Sequence, residues 1–257
     1  MHFYLYDSFL NNKKYESVLA KIENRLIDLG INGKIEKMSV LKSIKEVVED
    51  NIKSGTDTII AVGDDKTFAK IVPLVADQNG VTLGFIPVGE NPIGNILGIP
   101  PAEKACDVLS SRLIEKIDLG KVNNHYFFST LRIPGSQPLT LECNGGHFRI
   151  SSINQNDFVQ ICNLTFIPLG SGSKQKNICN PKDGLLEAIF TPIHTNILGK
   201  SRPDFNKMSI FPIKKIKIMS DDSVSLVADG ETVVKTPVTI EAVPKKLKLI
   251  VGKERKF

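Results

Sequence analysis

The sequence predicts two domains, an α/β domain followed by an all-β domain. In residues 1–118, apolar strand-like runs alternate with amphipathic helical segments, which is typical of a parallel sheet with helices on its faces. After Asp118 the helical periodicity disappears, and short alternating or apolar runs are separated by Gly, Pro, Asn and Asp turns. A length of 257 residues suits one large or two moderate domains.

The predicted first domain, residues 1–118, contains four strands, each followed by a helix. The strands read HFYLYDS, KIEKMSV, TIIAV and VTLGFIPVG, and the helices read ESVLAKIENRLIDLG, SIKEVVEDNIKSG, TFAKIVPLVADQNG and AEKACDVLSSRLI. Gly30 is a predicted helix C-cap, and Pro73 predicts a kink in the third helix. Ligands of such sheets bind at the carboxyl ends of the strands.

The predicted second domain, residues 119–257, is a β-sandwich. Its strands include LTLEC, LLEAIFTPI, IKKIKIMS, SVSLVAD and TPVTIEAV, and its turns include NPKDG and ADGE. The final strand, KLKLIVG, is a candidate to pack back on the first domain.

Composition narrows the class of protein. A hydrophobic fraction of 41% and a charged fraction of 24% are those of an ordinary globular chain. The four cysteines form no CxxC pair, so we expect reduced thiols, and no segment reads as a signal peptide or membrane span. We therefore expect a cytoplasmic protein. No zinc spacing, Ser-His-Asp order or Walker A sequence is found.

The net charge of +5 is unevenly distributed, because Lys207 to Phe257 contain eleven basic and six acidic residues. One interpretation is attraction to a lipid headgroup, with peripheral contact at a membrane surface. The alternative is a set of solvated strand faces. No aromatic residues alternate with these lysines, so we do not expect nucleic acid as a partner.

A strand-to-helix turn, Gly63-Asp64-Asp65-Lys66-Thr67, is the first candidate binding site. A helix N-terminus has unpaired N–H groups that suit phosphate. Asp64 and Asp65 add negative charge, which suits a phosphate only through Mg²⁺ or a ribose hydroxyl. Lys66 could supply a cation, and Thr67 could bind a phosphate oxygen or cap the helix. The alternative is an ordinary turn with Asp as the N-cap.

A second turn, IPVGENPIGNILGIP, follows the next predicted strand. Its residues Gly89, Glu90 and Asn91 lie beside the first turn if the two strands are neighbours. Two adjacent turns of this kind favour a nucleotide site.

Two turns of the predicted β-domain carry carboxylates. In NPKDGLLEAIF, Asp183 could bind a metal together with the backbone carbonyls of Asn180 and Leu185, or could be a β-turn residue. In ADGETV, Asp229-Gly230 reads as a hairpin turn, and Glu231 beside it could take a proton from an attacking hydroxyl.

The order of these motifs resembles the diacylglycerol kinase catalytic-domain family, which includes bacterial lipid kinases and sphingosine kinases and is related more distantly to NAD kinases. GDDKT stands where the family has Gly-Gly-Asp-Gly-Thr, and GFIPVGENPIGNILGIP is similar to its Pro-x-Gly-Thr-x-Asn-Asp turn. PKDGLLEAIF matches its Asp-Gly-x-Leu motif, and VADGETVVKTPVTIEAVPKKLKLIV matches its Asp-Gly-Glu motif and closing strands.

The resemblance implies an NAD kinase/diacylglycerol kinase-like fold and transfer of a phosphoryl group from ATP to a lipid hydroxyl, with Mg²⁺. Glu231, supported by Asp229, would be the general base, and Asn180, Asp183 and Leu185 would hold a structural Mg²⁺. The implied nucleotide-binding residues are Ser39, Gly63, Asp64, Asp65, Lys66, Thr67, Gly89, Glu90 and Asn91.

The departures from the family pattern fall on the nucleotide side. The first strand ends in YDSFLNN where the family has Asn-Pro-x-x-Gly, Asp64 and Lys66 replace two glycines, and Glu90 and Pro92 replace Thr and Asp. An alternative is therefore a catalytically impaired kinase-like protein that binds a nucleotide, a lipid or a protein partner without turnover. A third interpretation is that the protein is an NAD kinase. Separately, edge strands of the β-domain could pair between two copies of the chain, so a homodimer is a candidate assembly.

Overall fold

The computed structural model describes residues 1–39, 41–133, 140–143, 148–151, 158–168, 176–195, 201–220 and 222–257. These residues form two compact units. The first unit contains residues 1–117 and 245–257, and the second contains residues 118–244.

The first unit is built on a parallel sheet with the strand order β2-β1-β3-β4. The strands are β1 (His2–Tyr6), β2 (Lys34–Lys37), β3 (Thr58–Gly63) and β4 (Thr82–Pro87). The helices are α1 (Glu16–Asp28), α2 (Ile44–Lys53), α3 (Asp65–Ala76), α4 (Pro92–Ile96) and α5 (Lys104–Ser111). Short 3-10 helices cover Ser8–Asn11 and Lys13–Tyr15. The predicted alternation of strand and helix is confirmed.

Burial explains why the sheet forms. Every residue of β3 and β4 is buried, as expected for central strands covered by helices on both faces. The rings of Phe68 on α3 and Phe85 on β4 pack with centroids 4.8 Å apart. Two details differ from the sequence prediction. Helix α3 begins at Asp65 because Asp64 caps it, and the turn after β4 contains the short helix α4, which has Pro92 in its first turn.

The strands of the rest of the chain are short, and only 3-10 helix occurs between them in the described part of the second unit, at Phe205–Lys207. They are β5 (Ile114–Val122), β6 (His125–Phe127), β7 (Thr130–Ile133), β8 (Thr140–Cys143), β9 (Phe148–Ser151), β10 (Phe158–Cys162), β11 (Phe166–Pro168), β12 (Lys176–Ile178), β13 (Leu186–Thr191), β14 (Ile193–Thr195), β15 (Ser201–Pro203), β16 (Ser209–Ile213), β17 (Lys215–Met219), β18 (Ser225–Ala228), β19 (Thr232–Lys235) and β20 (Val238–Ile250).

The second unit is a β-sandwich, as predicted. One antiparallel sheet has the order β16-β13-β10-β7-β18-β19, and the facing layer contains β9, β8, β17 and the first part of β20. Alternate residues point into a shared core, as in β17, where Ile216 and Ile218 are buried between exposed neighbours. The end of β20 belongs to the first unit, where Lys248 pairs in parallel with Thr82 of β4.

All four cysteines are buried free thiols, as the sequence predicted. Among the helices of the described residues, none is long and apolar enough to cross a membrane.

Two glycines allow the C-terminal segment of the first unit to lie against the loop after α4. The amide of Gly252 donates to the carbonyl of Leu97 at 2.9 Å, and a Cβ on Gly252 would lie 1.8 Å from the carbonyl oxygen of Gly98. Gly98 itself has a φ of +68°. No side chain fits between these two backbones.

We predict that Gly252→Ala lowers the free energy of unfolding by about 2–4 kcal/mol, because the backbone must move to relieve the overlap. Urea denaturation measures this change. The neighbouring exposed residue provides the control: Lys253→Ala should change stability by less than about 0.5 kcal/mol. Equal stability of Gly252→Ala and the unsubstituted protein would contradict the packing described here.

Candidate functional site

The predicted nucleotide-binding residues all follow the carboxyl ends of parallel strands in the first unit. Ser39 follows β2, and residues 89–91 lie between β4 and α4. Gly63 is the last residue of β3, Asp64 is the N-cap of α3, and residues 65–67 form the first turn of that helix. This edge is where ligands of parallel sheets bind.

The first turn is closed by its own side chains. The Asp64 carboxylate accepts from the amide of Thr67 at 2.9 Å and so caps α3, which confirms the N-cap interpretation. The buried hydroxyl of Thr67 lies 2.7 Å from Asp7 Oδ2 and 3.0 Å from Asp64 Oδ1, and it donates to the nearer oxygen. A Cβ on Gly63 would lie 2.4 Å from that hydroxyl, so this position requires glycine.

Asp7 is a site residue that the sequence reasoning missed. It follows β1 in the segment YDSFLNN, and its Oδ1 lies 3.2 Å from both the amide of Phe9 and the hydroxyl of Ser8. Through Thr67 it also joins the turn after β1 to the turn after β3. Its place directly after an apolar strand was the available signal.

Asp65 connects the two predicted turns. Its Oδ2 accepts from the amide of Ile93 in α4 at 3.0 Å. Its Oδ1 is buried and has no hydrogen-bond partner in the described structure. Burial raises the pKa of this carboxyl to about 6, and the adjacent Asp64 adds to the increase, while the Ile93 amide opposes it.

A buried oxygen of this kind fits a hard cation such as Mg²⁺. The described residues contain no group of three or more metal-binding side chains placed to hold a metal. Mg²⁺ is commonly held by one or two carboxylates together with substrate phosphates, so a single carboxylate does not argue against it.

The other residues of this edge are closer to solvent. The side chains of Lys66, Glu90 and Ser39 are exposed. Gly89 has a φ of +107°, a conformation that favours glycine, and Asn91 directly precedes α4. The structure thus brings these residues to the predicted edge, and their contact with a nucleotide stays a prediction.

In the second unit, the turn that contains Asp183 is hydrogen-bonded to the buried carboxylate of Asp118. Asp183 is exposed and its Oδ1 accepts from the amide of Leu185 at 2.9 Å, as in a turn residue. Asn180 accepts from the amide of Lys182 at 3.2 Å. The amide of Gly184 donates to Asp118 Oδ2 at 2.7 Å. The predicted metal role of Asn180, Asp183 and Leu185 stays a prediction.

Asp118 is the second residue that sequence reasoning missed, since it served there only to mark a boundary. It is fully buried, and its amide donates to the carbonyl of Pro181 at 2.7 Å. The Asn163 side-chain amide donates to the carbonyls of Asp118 at 3.0 Å and Phe128 at 2.8 Å. A carboxylate between the apolar residues Ile117 and Leu119 was the signal for this network.

The side chain of Asp229 also accepts hydrogen bonds from the backbone. Its carboxylate accepts from the amides of Phe128, Ser129 and Thr130 at 2.7, 2.8 and 2.9 Å. Burial raises the pKa of Asp229, and these three donors oppose that increase. The carboxylate therefore positions the turn and the segment before β7.

The Asp229-Gly230 hairpin turn is confirmed. Its two residues have φ values of +49° and +75°, and the amide of Glu231 donates to the carbonyl of Ala228 at 3.0 Å. The Glu231 side chain is exposed next to the firmly held Asp229.

Several basic residues near the C-terminus are paired with acids. Lys215 Nζ lies 3.2 Å from Glu241 in the second unit, and Lys246 Nζ lies 2.9 Å from Asp77 in the first. These pairs are the arrangement expected of solvated faces, the alternative to the membrane-surface interpretation.

We predict that Asp65→Asn stabilises the protein above pH 6. The folded-state pKa of about 6 exceeds the ordinary 3.8, so the stability associated with protonated Asp65 is present below pH 4 and is lost as pH rises through 6. The variant keeps an acceptor for Ile93 without a charge. At pH 7.5 the gain should be about 1–2 kcal/mol after allowance for solvent screening.

Urea denaturation of Asp65→Asn and the unsubstituted protein from pH 4 to 8 checks this expectation. The difference between the two should grow with pH up to about 7. The exposed Asp28→Asn is the matched control and should show no such trend. A constant difference across the range would contradict the stated cause.

We also predict unequal effects at the two carboxylates of the hairpin. Asp229→Asn places an NH₂ group against backbone donors and should cost about 2–4 kcal/mol of unfolding free energy. Glu231→Gln alters an exposed side chain and should change stability by less than about 0.5 kcal/mol. Thermal and urea unfolding measure both, and similar losses in the two variants would refute the division of roles.

Comparison with known proteins identifies a family and several relatives that resemble this chain. Residues 3–122 match the family model described as the diacylglycerol kinase catalytic domain. A diacylglycerol kinase from Staphylococcus haemolyticus (strain JCSC1435) is 39% identical over 84 residues, which cover 32% of this chain and 26% of that protein. This match therefore spans about a quarter of the relative's length. A candidate lipid kinase from Staphylococcus aureus (strain MSSA476) is 25% identical over 254 residues, covering 82% of each chain.

Solved structures show the same fold. A diacylglycerol kinase from Bacillus anthracis str. Sterne superposes with a TM-score of 0.76 at 18% identity, covering 99% of this chain and 98% of that one. An NAD kinase from Archaeoglobus fulgidus in complex with ATP gives a TM-score of 0.61 at 15% identity, covering 99% and 95%. The resemblance predicted from the motifs is confirmed: residues 3–122 match the diacylglycerol kinase catalytic-domain family, and the whole chain has the fold of bacterial diacylglycerol kinases.

Proposed function

We propose that this protein transfers the γ-phosphoryl group of ATP to the hydroxyl of a lipid. The observation that carries the proposal is the construction of the two Asp-Gly turns in the second unit. Buried Asp118 holds the first through Gly184, and Asp229 holds the second through three backbone amides. Each turn thereby presents an exposed carboxylate, Asp183 or Glu231, in a fixed position.

Glu231 is the proposed general base, because it is exposed and lies beside the backbone that Asp229 fixes. It would accept the proton of the lipid hydroxyl as that oxygen attacks phosphorus. Asp229 acts as a positioning residue, since its oxygens already accept three N–H groups.

The proposed nucleotide side lies at the carboxyl edge of the parallel sheet. ATP is the proposed donor, in keeping with the ATP bound to the Archaeoglobus fulgidus NAD kinase of the same fold. Asp65 would hold Mg²⁺ through its unpartnered oxygen, and Mg²⁺ would neutralise phosphate charge. Asp64 and Thr67 would keep the turn in shape around them.

A second candidate function is that of a catalytically impaired kinase-like protein, which binds a nucleotide, a lipid or a protein partner without transferring phosphate. It is favoured by one observation, that the Asp64 and Asp7 carboxylates take the amide and hydroxyl of Thr67. A phosphate at this turn would have to compete with two carboxylates for the same donors.

Calorimetric titration with MgATP, followed by transfer of radiolabelled phosphate to a panel of lipids, separates the two candidates. Phosphoryl transfer requires MgATP binding in the unsubstituted protein. MgATP binding without transfer to any lipid, or absence of binding at millimolar MgATP, would overturn the first candidate and support the second. Recovery of MgATP binding by Asp64→Gly would assign that absence to the Asp64 carboxylate.

We predict that Glu231→Gln reduces turnover by about 10²-fold or more, because the amide cannot accept the proton. MgATP affinity and unfolding should stay unchanged. Glu16→Gln, at an exposed position on α1, is the control and should keep full activity. Undiminished transfer by Glu231→Gln would remove this residue from the proposed chemistry.

A further inference from the structure

A cleft of about 980 Å³ lies in the first unit, bounded by α4, α5 and the C-terminal segment 252–256. Its volume is within the range of small-molecule sites. It shares only Asn91 with the predicted nucleotide-binding residues.

One wall of the cleft is built from closely packed backbone. The amides of Gly252 and Lys256 each donate at 2.9 Å, to the carbonyls of Leu97 and Ile96 respectively. Arg255 forms an ion pair with Glu115 at 2.6 Å. These bonds fix the C-terminal segment, so the cleft exists before any ligand binds, which lowers the entropic cost of binding.

The charged groups of the cleft favour an anion. Lys104, Lys253 and Lys256 line it, and Lys256 Nζ donates to Asn95 Oδ1 at 3.1 Å. The lining acids are Asp107 and Glu254. Asp107 is bonded to Arg25 on α1, which neutralises its charge. Three ammonium groups against one unneutralised carboxylate leave a positive excess.

One part of the lining is apolar and is formed by Ile99, Pro100, Pro101 and Val108, while Asn91, Asn95 and Ser111 contribute uncharged polar groups elsewhere. Val108 and Pro100 are partly exposed, so they offer surface that an apolar ligand group can cover. The cleft therefore combines an anion-attracting group of lysines with an apolar wall.

We propose that this cleft binds a phosphomonoester that carries an apolar chain, with the phosphate at the lysines and the chain against the apolar wall. Lysine ammonium groups suit the compact double charge of a phosphomonoester. The inference does not depend on the phosphoryl transfer proposed above, because binding can be measured without nucleotide. The phosphate could come from a lipid or from a small soluble metabolite.

The test is calorimetric titration of the full chain with four probes: dihexanoyl phosphatidic acid, glycerol 3-phosphate, inorganic phosphate and dihexanoyl phosphatidylcholine. We expect saturable binding of dihexanoyl phosphatidic acid, at least tenfold weaker binding of glycerol 3-phosphate and inorganic phosphate, and none of the zwitterionic lipid. Equal binding of inorganic phosphate and the lipid phosphate would overturn the role of the apolar wall. Absence of phosphatidic acid binding would overturn the proposal.

Matched variants locate the site. The double variant Lys104→Gln/Lys253→Gln should weaken dihexanoyl phosphatidic acid binding at least tenfold. Lys45→Gln/Lys53→Gln, at exposed positions of α2, should leave it unchanged. Equal losses of binding affinity in the two double variants would mean that net charge alone causes the effect, and would overturn the assignment of the site to this cleft.

A third variant tests the apolar wall. Val108→Asn should weaken the binding of dihexanoyl phosphatidic acid and leave the binding of glycerol 3-phosphate unchanged. Thermal unfolding checks that the variant is folded. Equal weakening of both probes would contradict the proposed placement of the chain.

Discussion

A carboxylate that accepts backbone N–H groups at a turn is the interaction on which each candidate site depends. Asp64 accepts from Thr67, Asp118 accepts from Gly184, and Asp229 accepts from Phe128, Ser129 and Thr130. A hydrogen bond to a charged group contributes about 1.5–3 kcal/mol, against a desolvation cost that rises with burial. Asp229 offsets its burial with three such bonds. The net stabilisation of each carboxylate is therefore modest, and its main effect is to fix the geometry of its turn.

The same interaction has opposite consequences in the two units. In the second unit, Asp118 and Asp229 lie beneath their turns and leave Asp183 and Glu231 exposed. In the first unit, the capping carboxylate lies at the helix N-terminus itself. Asp64 stabilises α3 by satisfying an amide near the positive end of its dipole, and it occupies the position that suits an incoming phosphate. Aspartate at position 64 thus stabilises α3, and a phosphate at this turn, as proposed above, would need a cation beside the carboxylate.

The sequence predicted what local chemistry determines. The buried strands β3 and β4 are unbroken apolar runs, and Asp229-Gly230 is a hairpin signal in any context. Helix α4 was missed because five residues beginning with proline show no helical period. Asp7 and Asp118 were missed because their partners are distant in sequence, at Thr67 and Gly184, and no spacing reveals such a bond. The role of Asn163 was missed for the same reason, because the two carbonyls that it bonds, those of Asp118 and Phe128, are distant in sequence.

Asp65 combines a cost in stability with a position at the proposed nucleotide site. Its Oδ2 is satisfied by Ile93, so an asparagine could make that bond with no charge to bury. The chain has aspartate there, with one buried oxygen lacking a partner and a pKa raised to about 6 by burial. That oxygen accepts no hydrogen bond within the described structure, and the Ile93 amide offsets only part of the cost of ionising the carboxyl at neutral pH. A group that is unfavourable in the isolated protein and favourable beside a cation is what a binding site requires, because stability lost in the free protein is regained on binding.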